Sequence, residues 1–176
     1  MRVADAAWLT LLARRRVALG FLTAAATVVF SQPTWPTWGA GLAVAVAGEV
    51  VRVWAAGHLE KSREVTRSGP YRFTRHPLYS GSAVVALGVV IASRSAIVAV
   101  LVAAYLALTL NAAIRTEEAF LAREFGDAYD QYRESRGEPM QRRFSFARAA
   151  RNREYRAAAG LVGGFALLAL KAGRYL

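Results

Sequence analysis

An all-α fold is predicted: a polytopic membrane helical bundle of about five transmembrane helices with an amphipathic helix on its polar side. Three observations predict it. Of 176 residues, 55% are hydrophobic, and they fall in blocks and not in the alternations of a soluble core. The basic residues that give a formal net charge of +11 stand beside most of those blocks, as orientation and headgroup charge do. No nucleic-acid motif accompanies that charge, so a nucleic-acid partner is set aside.

The chain contains no cysteine, which excludes disulfides, thiolate nucleophiles and cysteine-ligated metals. His58 and His76 are the only histidines, too few for a histidine-rich site, and no metal is expected. GxGxxG, P-loop and HExxH patterns are missing, and no aspartate stands near either histidine in sequence to suggest a hydrolase triad.

Each span follows in order within one membrane domain, residues 1–176. Arg14, Arg15 and Arg16 precede an apolar run to Phe30, and the SQPTWPTW after it offers no small-residue cleavage site. A retained first span over about 17–31 is therefore expected, then a turn with interfacial Trp35 and Trp38. The second span, about 39–58, carries Glu49 and Arg52, which share a helix face at i, i+3. Ionisable groups at such depth are costly unless they face protein or water, so this pair is either a structural lock or part of a polar site.

Between spans two and three lies SGPYRFTRHPLYSG, residues 68–81, around which the chain is organised. Pro70 and Pro77 fix their own φ and disfavour helix at Gly69 and His76, so this stretch is a restrained polar turn. Irregular backbone next to membrane spans is tolerated against protein or water, which suits a buried aqueous site. Span three, about 78–92, offers Gly81 and Gly88 for close packing. The turn Ser93-Arg94-Ser95 leads into span four, about 96–114.

From Arg115 to Arg136 the residues Glu118, Leu121, Phe125, Tyr129 and Tyr132 recur every three or four positions. This predicts an amphipathic helix that continues span four into the interface, with a weak point at Gly126. A short fifth span is expected over about 157–171. With the amino terminus inside, the first loop and the ten arginines between 115 and 156 fall on one side, taken as the cytoplasmic face. An arginine-rich, alanine-rich composition suggests a bacterial inner membrane.

Two motifs then stand on that face: GPYRFTRHPLYSG at 69–81 and RTEEAFLAREFGDAYDQY at 115–132. In this order, separated by one helical hairpin, they resemble the isoprenylcysteine carboxyl methyltransferase and phospholipid methyltransferase superfamily of integral membrane enzymes. The resemblance covers roughly residues 48–135, including the lead-in RVWAAGHLEKSREVTRSG. It implies an S-adenosylmethionine-dependent methyltransferase whose cofactor sits between the 68–81 turn and the glutamate pair of 115–132, releasing S-adenosylhomocysteine. The acceptor would be a lipid or other hydrophobic molecule reached from the bilayer.

Carried over residue by residue, the resemblance implies cofactor-binding roles for Tyr71, Arg75, His76, Pro77, Tyr79, Gly81, Glu117, Glu118, Phe125 and Tyr129. These residue types suit the molecule. Its carboxylate calls for a cation such as Arg75 or Arg72, its ammonium and ribose for Glu117 or Glu118, and its sulfonium and adenine for aromatic walls. Arg115 and Arg52 are candidates to place an acceptor carboxylate, and Glu118 and Glu49 to take a proton from an acceptor amine. Carboxylate and amine acceptors both stay open.

Outside such a motif, Glu117 and Glu118 would be ordinary solvated helix charge, and His76 a turn residue. Tyr132 is read as an interfacial anchor, and Arg63, Arg67, Arg142, Arg143 and Arg151 as headgroup charge. Two other functions are weighed: an NADPH-dependent membrane lipid or sterol-type reductase, and a non-catalytic lipid-binding protein that keeps the scaffold. Oligomeric state is left open.

Overall fold

Prolines and small polar residues set the helix boundaries. A computed structural model describes residues 18–136, 138 and 140–175. Expectations for Arg14–Arg16 and the start of the first span lie outside the described residues. Helix α1 covers Ala18–Phe30. A tight turn follows, in which Gln32 N donates to Ser93 O at 2.7 Å, fastening the end of α1 to the far end of the third helix.

Helix α2 (Trp35–Ala56) starts with a reciprocal cap: Thr37 N donates to Thr34 Oγ1 at 3.4 Å and Thr34 N to Thr37 Oγ1 at 3.0 Å. Such capping satisfies amide groups left free by the first turn. After a loop and a 3₁₀ turn at Gly69–Arg72, α3 runs over Pro77–Ser93 with proline in its first turn, where the missing N–H costs nothing. Arg94 takes a left-handed conformation (φ 48°), and Ser95 caps α4 (Ala96–Phe125).

Helix α4 is one continuous rod of 30 residues. The amphipathic stretch prolongs it as far as Phe125; at Gly126, φ 45° and ψ −121° break the axis, and α5 (Asp127–Arg133) turns off. Helices α6 (Phe146–Arg151) and α7 (Tyr155–Ala172) complete the order. Among the described residues there is no strand, and the chain is a helical membrane bundle.

Among the described residues three helices are long and apolar enough to cross a membrane: α2, α4 and α7. Helices α1 and α3 are apolar but shorter; the 17 residues of α3 extend about 25 Å, against about 30 Å of hydrocarbon. Outward faces are greasy, with Phe21 74%, Val100 68% and Leu170 69% exposed, as lipid contact requires.

The tightest contact in the bundle joins α2 and α3. Glycines seven residues apart on each helix, Gly41 and Gly48 against Gly88 and Gly81, meet in antiparallel register. A Cβ on Gly41 would stand 2.4 Å from Gly88 O, and one on Gly48 2.6 Å from Val85 N. Small residues of this kind let membrane helices approach backbone to backbone. Trp38 Nε1 donates to Phe165 O at 2.9 Å, and Ala45, Ala92, Phe165 and Leu168 form the buried core where α7 packs on the pair.

Candidate active site

The site lies where the first turn of α3 faces the polar end of α4. Pro77 is buried and begins α3, so His76 at the cap and Tyr79 one turn on both project toward the glutamates. Their rings tilt against each other with centroids 5.7 Å apart. Tyr79 Oη donates to Glu117 Oε2 at 2.6 Å. His76 Nε2 lies 3.0 Å from Glu118 Oε1, and Arg75 Nη1 lies 3.3 Å from the same oxygen. Residues some forty positions apart thus form two adjacent polar clamps. Each joins an acidic residue of α4 to a group presented by the turn.

Beside the clamps opens a cavity of about 470 Å³, within the ~300–1,000 Å³ of cofactor-sized pockets. Tyr71, Arg75, Tyr79 and Glu117 line it, joined by apolar Leu78, Ala112, Phe120 and Leu121. Tyr132, the loop 59–66, Asn152 and Glu154 form further parts of its wall. A cation, an anion and aromatic and apolar surfaces therefore meet in one space.

The other predicted site residues are placed as follows. Glu118, His76 and Tyr129 stand behind the cavity wall in the second clamp. Tyr129 is 2% exposed, and its hydroxyl makes no hydrogen bond of standard geometry, although Glu118 and Arg75 are near enough to act on its ionisation. Burial raises its pKa. Gly81 serves packing: a Cβ there would meet Arg52 Cγ at 2.6 Å and Gly48 O at 2.8 Å. Phe125 ends α4, and neither it nor Arg115, which is exposed, lines the cavity.

Glu49 and Arg52 form an ion pair on α2 at 3.4 Å, and Arg52 Nη2 reaches Glu154 Oε1 at 2.6 Å. Arg52 also donates from Nη1 to Ser82 Oγ. Neither Glu49 nor Arg52 lines the cavity.

Two assignments from sequence take a different form. Tyr132, read as an interfacial anchor, lines the cavity and donates to Tyr71 O at 2.8 Å, so it holds the 3₁₀ turn in place. Burial raises the pKa of Tyr71 and pushes that of Tyr132 up to about 12, so both hydroxyls stay protonated at neutral pH; that of Tyr132 donates, while that of Tyr71 is buried without a hydrogen-bond partner. Arg142 and Arg151, read as headgroup charge, are paired within the protein. Arg142 forms a two-pronged contact with Glu64 at 2.6 and 2.8 Å, and Arg148 and Arg151 share Glu60 at 2.9 and 3.3 Å. Asn152 Nδ2 donates to Ala56 O and Leu59 O, both at 2.9 Å. The segment from 142 to 152 thus straps the loop that forms one wall of the cavity.

Glu154 and Asn152 were missed by sequence reasoning because no motif marks them. The RNRE sequence at 151–154 looks like any polar linker before an apolar run. Only the course of α7 beside α2 brings them to the site.

The family model for phospholipid methyltransferase matches residues 38–128, just over half of the chain. The chain belongs to the phospholipid methyltransferase family. The matched segment of this family member runs from the first turn of α2 to the start of α5, and so contains both clamps and the α2–α3 contact.

Curated relatives are distant. The cobalt-zinc-cadmium resistance protein CzcN of Cupriavidus metallidurans is 33% identical over 119 residues, 62% of this chain and 54% of that protein. The nickel-cobalt-cadmium resistance protein NccN of Alcaligenes xylosoxydans xylosoxydans is 35% identical over 94 residues, 52% of this chain and 42% of the relative. The protein-S-isoprenylcysteine O-methyltransferase of Schizosaccharomyces pombe is 33% identical over 91 residues, covering 52% and 39%. The chain spans about half or less of the length of these relatives. No solved structure matches. Among the described residues no group of three or more His, Asp or Glu is placed to hold a metal ion.

Proposed function

We propose that this family member is an integral membrane methyltransferase that uses S-adenosylmethionine and methylates a lipid or other hydrophobic acceptor. The observation that carries this reading is the convergence of Arg75, Tyr79 and Glu117 on one cavity of about 470 Å³ beside the His76–Glu118 clamp.

The donor set fits the cofactor. Arg75 is the cation for an α-carboxylate, and Glu117 the acceptor for an ammonium or ribose hydroxyl. Tyr71, Tyr79 and Phe120 supply aromatic wall. When bound, held by Arg75 at its carboxylate and by Glu117 at its ammonium or ribose, S-adenosylmethionine would supply an electrophilic methyl group to the acceptor. The chain's own residues have a simpler task, to orient and to exclude water. Tyr79 holds the Glu117 carboxylate in one rotamer, and His76 with Arg75 does the same for Glu118. Tyr132 fixes the backbone of Tyr71, and the 142–152 strap keeps the loop 59–66 closed over the side.

The positive flanks of the spans support a bacterial inner membrane with the site on the cytoplasmic side. S-adenosylhomocysteine titrated into the purified protein is expected to bind saturably, and the double change Glu117→Ala, Glu118→Ala to remove that binding. Wild-type protein that ignores S-adenosylhomocysteine but is thermally stabilised by NADPH would overturn the reading in favour of a reductase; stabilisation by neither would favour a non-catalytic lipid binder.

A further inference from the structure

Arg67 stands just before the 3₁₀ turn, between Thr66 and Ser68, both buried. Ser68 Oγ lies 3.1 Å from His58 Nδ1, and Thr66 Oγ1 accepts from Glu60 N at 3.3 Å, so the backbone of Arg67 is held on both sides. Its side chain is less well provided for. The Nε is buried without a hydrogen-bond partner, and no carboxylate among the described residues lies within ion-pair distance of the guanidinium. A buried donor in that condition costs free energy, and a bound ion is one of the few things that satisfies it.

Arg67 lines a hollow of about 600 Å³ together with Gln131, Arg136 and Glu138. The side chain of Arg136 is 70% exposed, and its contact with Glu134 engages Nη2. Solvent screens that pair, and a guanidinium has five donors, so Arg136 can serve a second acceptor. Gln131 adds an amide that can donate, and Glu138 a single carboxylate. Two guanidiniums and an amide around one space suit a tetrahedral oxyanion, whose oxygens point in several directions and can be gripped by two forks at once. The volume leaves room for the group that carries it. None of Arg67, Gln131 and Arg136 lines the cofactor-sized cavity, but Arg67 is near enough to Tyr132, which does, to act on its ionisation. The two spaces are therefore neighbours.

We propose that Arg67, Gln131 and Arg136 form a phosphate-binding site beside the candidate active site. Its ligand chemistry is that of a phosphate group, which an anionic lipid headgroup and a soluble phosphate share.

The test uses the full chain in neutral detergent and separates those sources. One arm titrates inorganic phosphate against chloride at equal ionic strength, read as thermal stabilisation. The other adds a short-chain phosphatidic acid, read by native mass spectrometry. Wild type is expected to bind at least one of them saturably. Arg67→Gln should weaken that binding about tenfold, and Arg67→Lys, which keeps the charge without the fork, should recover little of it. Arg63→Gln, an exposed arginine that lines neither space, should change it by less than about twofold. Lipid displaced by inorganic phosphate supports the site with a soluble ligand, and lipid retained in excess phosphate supports it with a headgroup. Binding of neither by wild type overturns the proposal. So do equal losses from Arg67→Gln and Arg63→Gln, because the formal net charge of +11 would then account for the binding. If Arg67→Gln fails to fold, Arg136→Gln, at an exposed side chain, takes its place in the comparison. No arm contains S-adenosylhomocysteine, so the outcome is independent of the methyltransferase reading.

Discussion

Tyr79 Oη and Glu117 Oε2 lie 2.6 Å apart, a phenol on the first turn of α3 donating to a carboxylate on the polar end of α4. Hydrogen bonds to ionised acceptors are short and strong, and this one fixes a carboxylate in the cavity wall without neutralising it. Tyr79→Phe leaves the ring and removes the donor. S-adenosylhomocysteine affinity is expected to fall about tenfold, ~1.4 kcal/mol, by isothermal titration with little change in thermal stability. Unchanged affinity would show that Glu117 needs no such tether.

Close approach of α2 and α3 makes a second prediction. Gly48→Val puts a branched side chain where even a Cβ lies 2.6 Å from Val85 N and 2.8 Å from Gly81 O. Separation of the helices should cost at least ~1–3 kcal/mol, read as a lowered unfolding temperature in detergent. Gly163→Ala on α7 is the control: nothing lies within 4 Å of its added Cβ, and alanine favours helix. Equal effects from the two changes would contradict the packing described.

The strap across the loop can be measured by a double-mutant cycle. Arg142 and Glu64 are partly exposed, with side chains 20% and 29% accessible, so solvent screens their attraction. Their two-pronged geometry nevertheless supports a coupling of about 1 kcal/mol between Arg142→Ala and Glu64→Ala in thermal unfolding. Arg142→Lys keeps the charge but not the fork and should recover little of it. A coupling near zero would mean that the strap is held by Asn152 and the backbone contacts alone.

His58 supplies the pH prediction. It is 5% exposed just past α2, with Nδ1 3.1 Å from Ser68 Oγ. Burial lowers its pKa below the ordinary 6.5, and Arg148, Arg142 and Arg72 push the same way. The unfolded chain therefore takes up a proton at a pH where the folded chain does not. The stability that neutral His58 supports is fully present above about 6.5 and is lost as pH falls from there through the folded pKa. Unfolding temperature should decline across that window, and His58→Asn should flatten the decline; an identical pH profile in the variant would exclude His58 as its source.

Much of this arrangement is legible in the chain because it rests on local chemistry. Apolar blocks foretell the bundle, and Pro77 foretells a helix beginning at the turn. Gly126 foretells the break after α4, since its positive φ is open to glycine at little cost. The ordered pair of motifs foretells the family. What escaped notice depended on distant partners. Tyr132 looked like an interfacial aromatic because its acceptor, the carbonyl of Tyr71, is 61 positions away. Arg142 looked like headgroup charge because arginine beside a membrane helix usually is; its glutamate lies across a loop and 78 positions back.

The amino-acid sequence by itself determined that this is a helical membrane protein with a proline-bounded turn and a glutamate pair, because hydropathy and backbone restriction act over a few residues. Only the tertiary structure decided which polar groups face one another. It sets Glu117 against Tyr79 and encloses Arg52 between Glu49 and Glu154. It also brings the start of α7 to the cavity wall. Those pairings arise from the glycine contact between α2 and α3 and from the path of α7 beside them, and helix packing of that kind sums contacts from the whole length of the chain.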